Sequence, residues 1–129
     1  MKHGIRIYKT KNFCKWAKKE KVADKPLINA INEISNGKID ADLGAGLIKQ
    51  RVAKPGFGKS GSYRTLIAFK RDDKAFFVFG FSKGDKDNID PEEKKIYKEL
   101  AKSVLMLSDT EIESLIKEKE LFEVKNESN

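Results

Sequence analysis

"SYRTLIAFKRDDKAFFVFGFSK", Ser62–Lys83, is the stretch on which the fold turns. Two runs rich in β-branched and aromatic residues, Ser62–Lys70 and Ala75–Lys83, flank Arg71-Asp72-Asp73-Lys74, a turn of hairpin length. The second run is nearly continuous in apolar residues, which predicts a central strand covered on both faces. Upstream, "GLIKQRVAK", Gly46–Lys54, predicts another strand. Residues two apart share a face, so Lys49 and Arg51 point one way while Ile48 and Val52 point the other. Three consecutive strands predict an antiparallel meander.

Working outward, Ile5–Thr10 alternates apolar and polar residues and reads as a short strand. Phe13, Trp16 and Ala17 then recur at helical spacing, with lysines opposite them. Asp24 is the expected N-cap of a second helix, with Pro26 in its first turn and Leu27, Ile28, Ile31 and Ile34 as its apolar stripe. Asn36-Gly37 ends that helix, and Ile39–Gly46 is expected to be a loop. Beyond the meander, "DPEE" at Asp90 and "SDTE" at Ser108 are capping-box starts of two further helices. Leu121–Val124 reads as a last short strand or an extended tail. The order β-α-α-β-β-β-α-α predicts an α+β fold: a small antiparallel sheet with an N-terminal helical hairpin and C-terminal helices. One domain over 1–124 is expected, followed by a polar tail at 125–129.

The chain has 129 residues, 27 Lys and Arg against 20 Asp and Glu, and a net charge of +7. Such a basic domain suits an anionic partner. The single cysteine, Cys14, excludes an internal disulfide and a multi-cysteine metal site. No window approaches the roughly 18 apolar residues of a membrane span, and the opening MKHGIRIYKTK lacks a signal-peptide core. Cytoplasmic location, no cofactor and no membrane partner are the expectations.

The charge is concentrated in "RVAKPGFGKSGSYR", Arg51–Arg64, which contains no acid. Its glycines do not form a P-loop, because the stretch lacks GxxxxGK[ST] and leads into a strand instead of a helix. Lys49, Arg51 and Arg64, with Lys83 and Lys86 after the third strand of the meander, are positioned to converge at one end of the sheet. A sheet gains no stability from gathered like charges, whereas a polyphosphate backbone would use them. Lys54 and Lys70 equally suit a solvated sheet edge. Tyr63 either stacks on a base or caps the sheet. Asp40 and Asp42 form a carboxylate pair or serve as turn formers. His3 is the only histidine and lies in the N-terminus, and Cys14 has no histidine near it in sequence.

Asp40–Ile89 resembles the RelE/ParE superfamily of bacterial type II toxins, in its HigB-like branch. The resemblance is carried by the L-x-K-x-R strand at Leu47–Arg51, the G-x-Y-R opening at Gly61–Arg64, the aromatic strand ending in F-x-K at Lys83, "DKDNI", and "EEKKIYKELA". It extends over Phe13–Val124. It implies a RelE-like α+β fold and a toxin neutralised by a cognate antitoxin, one of helix-turn-helix type. It also implies a metal-independent, ribosome-dependent endoribonuclease that cuts translated mRNA. On this resemblance the catalytic cations fall on Lys49, Arg51, Arg64 and Lys83, with Lys54, Lys59, Tyr63 and Lys86 as further nucleic-acid contacts. The chain departs from the pattern at Gly84, where many relatives carry arginine, and it lacks the downstream tyrosine or histidine that others use. Two alternatives stand beside this: a ParE-like gyrase inhibitor acting by binding, and a non-catalytic nucleic-acid-binding domain.

Overall fold

A computed structural model describes residues 5–54, 62–82 and 89–125. Ten elements follow in order: β1 Arg6–Thr10, α1 Lys11–Glu20, α2 Asp24–Ser35, β2 Ala41–Gly44, β3 Leu47–Val52, β4 Tyr63–Lys70, β5 Lys74–Ser82, α3 Pro91–Leu105, α4 Asp109–Lys117 and β6 Leu121–Val124. The strands form one sheet in the order β2-β3-β4-β5-β1-β6.

The β4–β5 hairpin forms as expected, with Tyr63 opposite Ser82 and Lys70 opposite Lys74. Asp72 takes the left-handed conformation at its turn (φ 60°), which Asp tolerates better than most residues. A bulge on β5 leaves Val78 unpaired between Phe77, which faces Ile67, and Phe79, which faces Leu66. β5 is interior, flanked by β4 and β1, in keeping with its unbroken apolar run.

Three features differ from the sequence expectations. First, Ile39–Gly46 is not wholly a loop, because Ala41–Gly44 pairs antiparallel with β3. The Asp42 carboxylate accepts from the Gly44 amide at 2.9 Å. Ala45 and Gly46, at φ 58° and 83°, then close a two-residue hairpin. The φ of Gly46 favours glycine there, and a Cβ would also require Leu105 Cδ1, 2.6 Å away, to shift. Second, β1 pairs with β5 in parallel, so the sheet is mixed, although the rest of its pairing is antiparallel. The helices and meander between β1 and β5 provide the long connection a parallel pair needs. β6 pairs antiparallel with β1, so Leu121–Val124 is a strand. Third, α2 is capped by Ala23, with no side-chain hydrogen bond. The Asp24 carboxylate instead accepts from Lys9 Nζ at 3.0 Å.

The other helix starts follow their sequence signals. Thr10 accepts from the Phe13 amide to cap α1. Asp90 with Glu93 and Ser108 with Glu111 form reciprocal capping boxes. Each face of the sheet carries a core. Phe13, Leu27, Ile31 and Ile34 of the first two helices pack on Ile48, Val52, Tyr63, Ile67 and Phe77. On the opposite face, Ala101, Val104 and Ile112 pack on Leu47, Leu66, Ala68, Phe76 and Val78. Lys74, at the start of β5, is buried, but its ammonium donates to the Leu107 carbonyl at 2.9 Å.

Candidate functional site

β3 and β4 pair residue by residue: Val52 with Tyr63, Arg51 with Arg64, Gln50 with Thr65 and Lys49 with Leu66. Side chains alternate across this ribbon. Ile48 and Val52 join the core under α1 and α2. Leu47, Leu66 and Ala68 join the core under α3. That second core does not extend to Lys49, Arg51 and Arg64, which lie on its face toward the open end of the strands. Lys49 and Arg64 are half-buried and Arg51 is exposed. Together with Asp40, Ala41 and Gln50 they line a cleft of about 220 Å³.

Two arginines directly opposite each other disfavour a strand pair by about 0.2–1 kcal/mol. Neither the Arg51 nor the Arg64 guanidinium forms an ion pair among the described residues. Other cations of the chain do: Arg6 donates to Asp73 at 3.0 Å and to Asp109 at 2.9 Å, and Lys9 pairs with Asp24 at 3.0 Å. The bonds to Asp109 and Asp73 raise the Arg6 guanidinium still further above its ordinary pKa. Asp73 is correspondingly held below the usual carboxylate range by its bond to Arg6.

The structure separates the other sequence candidates. Tyr63 is 4% exposed, and its hydroxyl donates to the Glu20 carbonyl at 3.0 Å. Its ring and that of Trp16 pack nearly perpendicular, with centroids 5.2 Å apart. Of its two readings, this is the geometry of a sheet cap, with no free face for a base, and burial pushes its hydroxyl pKa up. Lys54 lies with it, its ammonium 5.3 Å from the Tyr63 ring centre, away from Lys49, Arg51 and Arg64. Gly80 makes room for Trp16: a Cβ there would approach the indole to 2.4 Å. Lys59, Lys83 and Lys86 lie outside the described residues.

Sequence reasoning placed Asp40 in a loop and missed its place beside the cations. Its Oδ2 accepts from the Arg51 amide at 2.6 Å, and its own amide donates to Gln50 Oε1 at 3.0 Å. The signal that would have found it is the β2–β3 hairpin, hidden by the glycines of "DADLGAG".

A family model described as the RelE toxin of the RelE/RelB toxin–antitoxin system matches residues 5–124. A search of curated proteins returned no match.

Proposed function

The chain belongs to the RelE toxin family, the toxin half of a toxin–antitoxin pair, and we propose that it is a ribosome-dependent endoribonuclease cutting mRNA during translation. The observation that carries this reading is the facing Arg51–Arg64 pair, whose guanidinium groups form no ion pair among the described residues, in a cleft that Lys49 also lines.

Phosphodiester cleavage by a neighbouring 2′-hydroxyl depends on alignment and on stabilising the charge that develops on the phosphate. Arginine forks suit this task because they present paired N–H donors to phosphate oxygens. Arg51 and Arg64 would hold the non-bridging oxygens from two strands, and Lys49 would add a third charge. Lys83, which follows β5 in sequence, belongs to the same proposal. The ribosome would align the message, and the step as drawn uses no metal. The antitoxin, of helix-turn-helix type by the resemblance, would neutralise the toxin by covering this cleft or holding it away from the ribosome.

The test is induction of the chain without its antitoxin, followed by primer extension on a reporter mRNA with and without a start codon. Cuts confined to the translated message are the expected result. Growth arrest with uncut mRNA and trapped gyrase–DNA complexes would replace this reading by inhibition through binding. No arrest would leave a binding domain.

A further inference from the structure

Among its described residues, the cleft that gathers Lys49, Arg51 and Arg64 contains one carboxylate, Asp40, which the reaction above does not use. That reaction needs an acceptor for the 2′-hydroxyl proton. An arginine or a protonated lysine has no lone pair to offer. Tyr63 is buried, with its hydroxyl committed to Glu20. Among the described residues of the cleft, Asp40 is therefore the carboxylate that can take the proton.

Its placement is fixed more firmly than a turn residue requires. Asp42, two positions on, accepts from Gly44 and serves a local turn. Asp40 instead bonds across the hairpin to residues 10 and 11 positions away. Gln50, which receives the Asp40 amide, is 2% exposed, and its Nε2 donates to the Lys38 carbonyl at 2.8 Å. The Gln50 carbonyl accepts from Thr65 Oγ1 at 2.9 Å, and Thr65 is wholly buried. A satisfied buried polar network of this kind rigidifies its surroundings, because any broken member leaves a costly unpaired group. With Oδ2 held by the Arg51 amide, Oδ1 has no partner among the described residues, and the side chain is exposed on the cleft.

We infer that Asp40 is the general base of the cleavage, with Gln50 as its positioning residue; this rests on the ribonuclease reading. Oδ1 takes the proton of the 2′-hydroxyl next to the phosphate held by Arg51 and Arg64. The 2′-oxygen bonds to phosphorus and the bond from phosphorus to the 5′-oxygen breaks. The products are a 2′,3′-cyclic phosphate and a 5′-hydroxyl, whose oxygen takes a proton from solvent. Asp40 then releases its proton to water.

The experiment compares cleavage of a translated mRNA on purified ribosomes by the wild-type chain, Asp40→Asn, Asp40→Ala and Arg64→Ala. Asparagine keeps an oxygen to accept from the Arg51 amide but cannot serve as the base. Asp40→Asn should melt with the wild type, bind ribosomes equally and cleave about 100-fold or more slowly. Added acetate should restore part of the activity of Asp40→Ala, which a purely structural role would not allow. Wild-type-like cleavage by Asp40→Asn, with Arg64→Ala inactive, overturns this inference and leaves the proposed function intact. Slow cleavage by Asp40→Asn with a lowered melting temperature, and no acetate rescue of Asp40→Ala, reduces Asp40 to a structural tie. A wild-type chain that cuts no message on the ribosome overturns both readings.

Discussion

At the open end of the sheet, neighbouring residues on the same strands do opposite things. Val52 and Tyr63 face each other and are buried in the core under α1 and α2. One position along, Arg51 and Arg64 face each other on the other side, in a cleft beyond the core under α3. Strand alternation alone separates the two pairs. The first pair is satisfied from within: packed rings, a hydroxyl bonded to Glu20, and a glycine that admits the indole. The guanidinium groups of the second pair form no ion pair among the described residues, and two like charges face to face disfavour the strand contact they sit on. At this end of the ribbon, stability and the proposed chemistry are thus assigned to opposite faces. Substitutions of Val52 and Tyr63 should cost stability, and substitutions of Arg51 and Arg64 should cost activity.

Three substitutions probe the packed side of this division and a fourth gives a distant reference, in descending order of effect. Phe77→Ala, in the core beneath α1 and α2, should destabilise by about 3–5 kcal/mol in chemical denaturation, because it leaves a large cavity. Gly80→Ala should cost about 1–3 kcal/mol, because its methyl group overlaps the Trp16 ring; Trp16 fluorescence during unfolding would follow it directly. A stable Gly80→Ala would mean that Trp16 does not lie on β5 as described. Tyr63→Phe should cost about 0.5–1.5 kcal/mol through loss of the bond to Glu20 and leave cleavage unchanged.

Asp73→Asn probes a distant ion-pair cluster, where Arg6 joins Asp73 and Asp109, and should be the smallest effect. Both side chains of the Arg6–Asp73 bridge are partly exposed, so about 0.2–1 kcal/mol at neutral pH is expected, less at high salt. The folded pKa of Asp73 lies below its unfolded value. Its contribution is therefore complete above the unfolded pKa of about 3.9 and is lost as pH falls through the folded pKa. Wild type and variant should draw together in stability as pH falls below about 4 and meet once it is below the folded pKa of Asp73. A gap that persists there would show that the charge of Asp73 is not what stabilises the turn.

Local signals in the sequence were reliable guides to local structure. The two capping boxes, the β4–β5 hairpin and the alternation that puts Lys49 with Arg51 each depend on residues a few positions apart. What the sequence hid depends on distant pairing. β2 is held by β3 and by Asp42 accepting from Gly44, while its glycines read as a loop. β1 finds β5 in parallel across about half of the chain. Tyr63 was equally suited to stacking on a base or capping the sheet until Trp16, 47 positions earlier, was placed against it. The basic site was legible in part: Arg51 and Arg64 were expected on adjacent strands, but their direct opposition and the nearness of Asp40 depend on the register. Asp24 shows the same limit, since its pairing with Lys9 displaced the capping role its neighbours suggested.

The most direct test of the central claim sets the two neighbours, Tyr63→Phe and Arg64→Ala, side by side. Each is expressed without antitoxin and assayed for cuts in a translated reporter mRNA, with the melting temperature of each purified chain. Tyr63→Phe should melt lower and still cut. Arg64→Ala should be at least as stable as the wild type, since a facing like charge is gone, and should lose cleavage by about 100–1,000-fold. An Arg64→Ala chain that cuts as well as the wild type would contradict the assignment of the chemistry to the open face.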